Sequence, residues 1–248
     1  MKGGLTYFVA DVHLGCDVQD PAGRERRFVS FLESLPENTA ALYMLGDIWD
    51  FWYEYRDVVP RGYVKVFAAL VKLVERGVDV FFFRGNHDQW TYSYIESMGV
   101  KILEQPCVRE IDGRSFCLGH GDGLGPVPMG YRILSGIFKS RILRALFSTL
   151  HPWLAFRFGN SWSRRNRLRH KGDYVFRGKD EPLYKFAEEY SSRNAVDFFI
   201  FGHFHTDVNL KLDTGARLVL VRDWFKTSPY LLWDGESLTR LEMGQASS

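Results

Sequence analysis

Cysteine is scarce in this chain: Cys16, Cys107 and Cys117 are the three among 248 residues, and no Cys-x-x-Cys spacing occurs. That excludes a disulfide framework and a thiolate zinc site, and buried free thiols are expected instead. Long apolar runs are missing too. The stretches at residues 80–83 and 198–201 fall far short of the roughly 18 residues that a membrane-spanning helix needs. The start, Met1-Lys2-Gly3-Gly4, lacks the apolar core of a secretory signal, so a cytoplasmic protein is expected. Neither an internal repeat nor a low-complexity tract is visible. What is present, 46 % hydrophobic and 25 % charged residues, excludes a disordered, collagen-like or coiled-coil chain. The length suffices for a single domain, residues 1–248, that folds without staples.

The small net charge of +2 hides an asymmetry. Twelve Lys and Arg residues between Gly130 and Lys179 face one acid there, Asp173, so this segment carries +11 and the remainder of the chain −9. An anionic ligand is the expected partner of such a segment, against the plainer reading of a solvated helical face.

Apolar runs at residues 5–10, 41–45, 78–83, 116–118 and 196–201 read as strands, and the periodicity at 24–35 and 64–74 predicts helices between the first of them. Each run ends in a polar turn: Asp11-Val12-His13, Gly46-Asp47, Gly85-Asn86-His87-Asp88, Gly119-His120, and Gly202-His203-Phe204-His205. Between the last two turns, residues 124–180 read as an inserted cap. Apolar residues recur there every three or four positions from Ile133 to Leu150 with Lys and Arg between them, predicting one basic amphipathic helix. After His205, alternation through residues 208–212, 217–221, 230–233 and 237–241 predicts a β-meander.

Five of the seven histidines sit in those five turns. Imidazole, carboxylate and amide oxygen donors collected at neighbouring strand ends make a metal site, and the two oxygens of Asp47 are able to bridge a pair of cations. His151 and His170 lack that setting; His151 is expected at a helix N-terminus and His170 as a solvated or phosphate-facing residue. Asp50 and Asp122 either hold turns or act in the site. Trp49, Trp52 and Trp90 are expected to pack beside it.

The ordered set Asp-x-His, Gly-Asp, Gly-Asn-His-Asp, Gly-His and Gly-His-x-His resembles the calcineurin-like metallophosphoesterases over residues 11–205. The resemblance implies an α/β fold, a four-layer, two-sheet sandwich flanked by helices with the helical cap inserted. It also implies two divalent metal ions, Mn²⁺ by analogy. Asp11, His13 and His205 would bind one, Asn86, His120 and His203 the other, and Asp47 both. Water attack on phosphorus would be served by His87 as oxyanion stabiliser or general acid, with Asp88 orienting it and Asp47 completing the catalytic set.

Three further stretches narrow the resemblance: Leu45-Gly46-Asp47-Ile48-Trp49-Asp50-Phe51-Trp52, Gly85-Asn86-His87-Asp88-Gln89-Trp90 and His120-Gly121-Asp122-Gly123-Leu124-Gly125. With the basic helical insertion they look like the UDP-2,3-diacylglucosamine pyrophosphatases of lipid A synthesis, in a Bacteroidetes-like form. Enterobacterial members have arginine where His87 stands, and their acidic pair after the His-Gly-Asp turn is replaced here by Val127-Pro128. The implied reaction splits the diphosphate of a lipid-linked nucleotide sugar into UMP and a diacylglucosamine 1-phosphate. Asp122, Tyr131, Arg157, Ser163, Arg164 and Arg167 are then the substrate-binding candidates, and the apolar residues of the cap would form an acyl chamber. A peripheral contact with the cytoplasmic face of the inner membrane is the expected setting. Another metallophosphoesterase, such as a nuclease or a small phosphodiesterase that binds a polyanion on the basic cap, is the alternative reading. A non-catalytic binding module ranks last, because none of the expected ligands is missing.

Overall fold

The computed structural model describes residues 3–169 and 174–244. The strands are β1 (Leu5–Val9), β2 (Thr39–Met44), β3 (Asp79–Phe83), β4 (Lys101–Leu103), β5 (Cys107–Ile111), β6 (Arg114–Leu118), β7 (Phe198–Phe201), β8 (Val208–Lys211), β9 (Arg217–Leu220), β10 (Pro229–Trp233) and β11 (Leu238–Glu242). The helices are α1 (Pro21–Ser34), α2 (Val64–Glu75), α3 (Met129–Lys139), α4 (Arg141–Phe147), α5 (Pro152–Arg169) and α6 (Pro182–Ser191).

Two mixed sheets stack face to face. One has the order β11-β10-β1-β2-β3-β4 and the other β5-β6-β7-β9-β8. Strands β1 to β4 run parallel, as do β6, β7 and β9. Their C-terminal ends therefore open on shared edges, where the polar turns meet.

Side chains alternate across each strand, so a strand buried on both faces must be apolar at nearly every position. In β1, Tyr7 and Val9 face α1 and α2, where they join Phe28, Phe31 and Leu70. Phe8 and Ala10 face the second sheet and meet Tyr43, Phe81, Phe116 and Ile200. The outer face of that sheet, through Cys117, Phe199 and Leu218, is covered by Leu183 and Ala187 of α6. Helix, sheet, sheet and helix thus make the four expected layers. Cys16 and Cys117 are buried free thiols, and Cys107 is half-buried.

Two details differ from the sequence reading. The alternating run after His205 is not one meander: β8 and β9 belong to the second sheet, while β10 and β11 cross to the first and pair beside β1. Alternation reports that one face is buried, not which sheet does the burying. The predicted basic helix breaks at Ser140, whose backbone is extended (φ −66°, ψ 120°) and whose hydroxyl accepts from Leu143 N as the cap of α4. Across the break, Phe138 of α3 and Phe147 of α4 both pack on Trp90. His151 does stand at a helix start, accepting from Trp153 N at 3.3 Å. His170 lies outside the described residues.

The inter-sheet core rests on large aromatics in contact. Phe116 stacks on Phe8 (5.9 Å) and Phe198 (4.9 Å) and meets the edge of Trp233 (5.2 Å). Replacing Phe116 by Ala is expected to lower stability by about 3–5 kcal/mol, measurable as a shift of the denaturant midpoint at unchanged slope; a cost below about 1 kcal/mol would show that the two sheets close up without this ring.

Candidate metal centre

Six parallel strand ends converge. Asp11 and His13 follow β1, Asp47 follows β2, Asn86 and His87 follow β3, His120 follows β6, His203 and His205 follow β7, and Asp223 follows β9. Adjacent turns are tied through the backbone: Asp11 N donates to Gly46 O at 3.1 Å, His13 N to Asp47 O at 3.0 Å, and Gly202 N to His120 O at 3.0 Å.

Nine non-glycine residues among those described have left-handed backbones, and five of them are Asp11 (φ 52°), His13 (50°), Asp47 (52°), His203 (71°) and His205 (52°). Such conformations are uncommon outside glycine and collect where the surrounding structure imposes them for function. Glycine is required next to them. A Cβ on Gly85 would collide with Asp47 Oδ1, and one on Gly46 (φ 89°) would lie 2.8 Å from His120 Nδ1.

The two central carboxylates are fully buried and divide their oxygens in the same way. Asp11 Oδ2 accepts from His203 N (2.9 Å), and Asp47 Oδ1 from His87 N (2.9 Å). The other two oxygens face imidazoles. Asp11 Oδ1 lies 3.3 Å from His205 Nε2 and 3.7 Å from His13 Nε2. Asp47 Oδ2 lies 3.4 Å from His120 Nε2, 3.9 Å from His13 Nε2 and 4.0 Å from His87 Nε2. Asn86 Oδ1 sits 3.2 Å from His120 Nε2 and 3.0 Å from His203 Nδ1.

The donors fit a divalent metal. Asp11 Oδ1 is buried and accepts no hydrogen bond among the described residues, and His13 Nε2 and His205 Nε2 face each other at 3.2 Å, an arrangement that lone pairs tolerate only with a proton or a cation between them. Asp11, His13 and His205 bring their ligand atoms within 4.8 Å of one another, as do Asp11, Asp47 and His120, and His13, Asp47 and His87. The distal nitrogens are held as well, which sets the ring orientation of a ligating histidine. His120 Nδ1 lies 2.9 Å from Leu45 O, and His205 Nδ1 3.3 Å from Asp223 Oδ2.

Burial opposes ionisation of Asp11 and Asp47, but the neighbouring imidazoles, His205 for Asp11 and His120 for Asp47, outweigh it and hold both below the usual carboxylate range. Burial likewise disfavours the charged form of His205, yet Asp11 and Asp223 lift its pKa to about 10, and Asp47 lifts His120 well above the ordinary histidine value. In the absence of other cations the site thus stores protons where a metal would go. Burial and the charge of His120 push His203 down to about 4, and burial lowers His87.

Asp88 does not touch the His87 ring. Its buried carboxylate accepts from Gly85 N (2.8 Å), Asp47 N (3.1 Å), Ile48 N (2.7 Å) and Trp49 N (3.2 Å), clamping the Gly-Asp turn to the Gly-Asn-His turn. Burial and the Asp47 charge raise its pKa to about 7, while these four donors favour the carboxylate. The His87 ring is oriented by others: Nδ1 donates to Asp50 O at 2.8 Å and lies 3.4 Å from Ser163 Oγ.

Of the substrate candidates, Asp122 is buried at the site edge and accepts from Tyr131 Oη (3.2 Å) and Gln105 Nε2 (2.7 Å). Ser163 is buried and donates to Asp50 Oδ2 at 2.8 Å. Arg157 lies over the Trp153 ring, 5.3 Å from its centroid, and Arg164 Nε is 3.6 Å from Asp17 in an exposed pair. The Arg167 side chain lies outside the described ones. Trp49 and Trp52 are fully buried, and Trp90 packs against Phe138 and Phe147 of the cap.

Sequence reasoning missed Asp223, Phe225, Gln105 and Glu54. Phe225 stacks on His13 at 5.4 Å, Gln105 Oε1 accepts from Gly121 N at 2.7 Å, and Glu54 accepts from Trp52 Nε1, Tyr92 N and Tyr94 N. Asp223 had a signal, since it ends an apolar strand as the other turns do, but without a glycine or histidine beside it.

A family model described as calcineurin-like phosphoesterase matches residues 5–207. A UDP-2,3-diacylglucosamine hydrolase of Porphyromonas gingivalis is 35 % identical, covering 94 % of this chain and 95 % of its own. Proteins of the same name from Aeromonas salmonicida and Yersinia pseudotuberculosis are 28 % and 31 % identical, covering 92 % and 87 % of this chain and 89 % of theirs in both cases.

Because His205, His120 and His13 hold protons above the ordinary histidine range, metal uptake near pH 7 must displace them. Affinity is expected to rise with pH, by about tenfold per unit for each proton released. Calorimetric titration with Mn²⁺ in two buffers of different ionisation enthalpy checks this; a pH-independent affinity between pH 6 and 8 would contradict it.

Proposed function

The chain belongs to the calcineurin-like phosphoesterase family, and from that premise we propose that it hydrolyses the diphosphate of UDP-2,3-diacylglucosamine, yielding UMP and 2,3-diacylglucosamine 1-phosphate for lipid A synthesis. The observation that carries the reading is a donor cluster roofed by a segment both strongly basic and rich in exposed apolar side chains. Near-full-length similarity to hydrolases named for that substrate supports it.

In this reading two ions, Mn²⁺ by preference, are held by Asp11, His13, His205 and Asp47 and by Asp47, Asn86, His120 and His203. When bound, such ions supply Lewis acidity toward phosphoryl oxygens and make water nucleophilic at neutral pH. The chain's own residues do the rest. Asp88 keeps the two central turns in register, so the donor atoms meet without rearrangement. His87, with Nδ1 given to Asp50 O, turns Nε2 toward the side where Asp47 Oδ2 lies. Burial disfavours its charged form in the free protein. A phosphate oxygen arriving at Nε2 favours the imidazolium, which then donates to the developing charge on the leaving oxygen.

Three helices of the cap present the substrate's other halves. Ile133, Leu134, Ile137, Leu146, Phe158 and Trp162 are all exposed, a concentration that monomeric surfaces rarely carry without a ligand. They suit two acyl chains, while Asp122, Tyr131, Arg157, Ser163, Arg164 and Arg167 suit sugar and diphosphate; arginine pairs bidentately with phosphate oxygens. Among the described residues no helix is long and apolar enough to cross a membrane. A lipid substrate is then reached from the bilayer surface, where the basic cap faces anionic headgroups.

Incubation with UDP-2,3-diacylglucosamine and Mn²⁺ is expected to release UMP, and EDTA to abolish the release. UDP-N-acetylglucosamine, which lacks both acyl chains at these positions, should be a poor substrate. Cleavage of a single-stranded oligonucleotide instead would keep the metal centre and overturn the substrate. In the same assay His87→Ala is expected to retain metal and lose about 10²-fold in turnover, and unchanged turnover would remove His87 from the mechanism.

A further inference from the structure

Asp50 is 6 % exposed and touches three groups of different function. Its Oδ1 lies 3.2 Å from His13 Nδ1, its Oδ2 accepts from Ser163 Oγ of α5 at 2.8 Å, and its carbonyl accepts from His87 Nδ1 at 2.8 Å. Its own amide donates to Leu14 O at 2.9 Å, next to the Leu14–Trp49 bridge, so the carboxylate cannot drift without moving the turn that carries Asp47. We propose that Asp50 is a positioning residue that couples the seating of the cap helix α5 to the orientation of the metal-facing His13.

The physical reason lies in how one carboxylate is shared. With Oδ1 beside Nδ1 of His13, the ring proton belongs on Nδ1 and the lone pair on Nε2, the atom that faces His205 and Asp11. A carboxylate behind a ligating imidazole also raises its basicity, and losing such a partner typically weakens metal binding by about 10–100-fold. The second oxygen accepts from a residue of α5 that is itself buried, Ser163. Other ties between cap and body run through different residues, among them Trp90 Nε1 to Phe138 O (2.9 Å), Tyr53 Oη to Arg144 O (3.0 Å), and the ring contacts of Phe51 with Phe156. These hold α3, α4 and the start of α5. Asp50 joins α5 to the metal-facing His13, beside the 3.4 Å approach of Ser163 Oγ to His87 Nδ1, so substrate that displaces α5 alters the His13 environment through it.

The inference rests on the metal-centre reading, and its test separates the two. Mn²⁺ affinity is measured by competition with a fluorescent chelator on wild type, Asp50→Asn, Asp50→Ala and Ser163→Ala, with amide hydrogen exchange followed in α5 of the same proteins. Asp50→Asn and Asp50→Ala are expected to bind Mn²⁺ about 10–100-fold more weakly, and Ser163→Ala, which releases α5 from the shared carboxylate, to bind it more weakly by a smaller factor, about threefold or more. Exchange in α5 is expected to quicken in Ser163→Ala and Asp50→Ala but not in Asp50→Asn, whose amide oxygen still accepts from the Ser163 hydroxyl. If Asp50→Ala does not fold, Asp50→Asn against Ser163→Ala carries the comparison. Wild-type affinity in Asp50→Asn or in Ser163→Ala, or α5 exchange unchanged in Ser163→Ala, would overturn the coupling while leaving the metal centre in place. No Mn²⁺ uptake by the wild type would overturn the centre and the inference with it.

Discussion

Two carboxylates taken out of water side by side are the constraint on which the structure turns. Asp11 and Asp47 follow adjacent parallel strands and are shielded from solvent, where an uncompensated charge is costly. Compensation comes in two parts. One oxygen of each accepts from a backbone N–H of a neighbouring turn, and the other faces imidazole nitrogens that converge from the ends of four strands. The same field that holds protons on His205 and His120 selects a divalent cation, because a single small ion of double charge satisfies several donors at once.

Bringing those donors together requires backbone geometry that isolated turns would not choose. Asp11, His13, Asp47, His203 and His205 are all left-handed, a strain that persists because the sandwich behind it is rigid. Phe8, Tyr43 and Phe81 stack in sequence across β1, β2 and β3, fixing the strand ends from which the turns depart. Asp88 adds the remaining lock, with four amides on one buried carboxylate. Stability and function are therefore linked through the core: loosening the sheet stack would relax the turns toward ordinary backbone conformations and spread the donors apart.

The cap obeys a different economy. Its inner residues bind to the body through aromatic contacts, Trp90 with Phe138 and Phe147, Tyr53 with Phe147, while a broad apolar surface remains exposed on α3 to α5. Positive charge surrounds that surface. Ser163 of α5 brings the cap next to Asp50 and His87.

What the sequence determined by itself is the local chemistry. The five polar turns, their glycines and the strand nature of the runs before them were legible because burial on both faces forces near-continuous apolar residues, and because close approach of donor to backbone excludes a Cβ at Gly46 and Gly85. The amphipathic, basic character of the cap was legible from three- and four-residue spacing, though not its break at Ser140, which a single extended residue produces without disturbing the apolar period. Tertiary structure decided what depends on distance between remote residues. Pattern alone could not send β10 and β11 to the first sheet, because alternation is the same whichever sheet buries it. Nor could it show that Asp88 clamps backbone amides rather than the His87 ring, or that Asp50, Asp223 and Phe225 stand behind His13 and His205. Those roles carry no motif of their own; they arise because a side chain's hydrogen-bond partner is chosen by the fold, across tens to hundreds of residues of intervening chain.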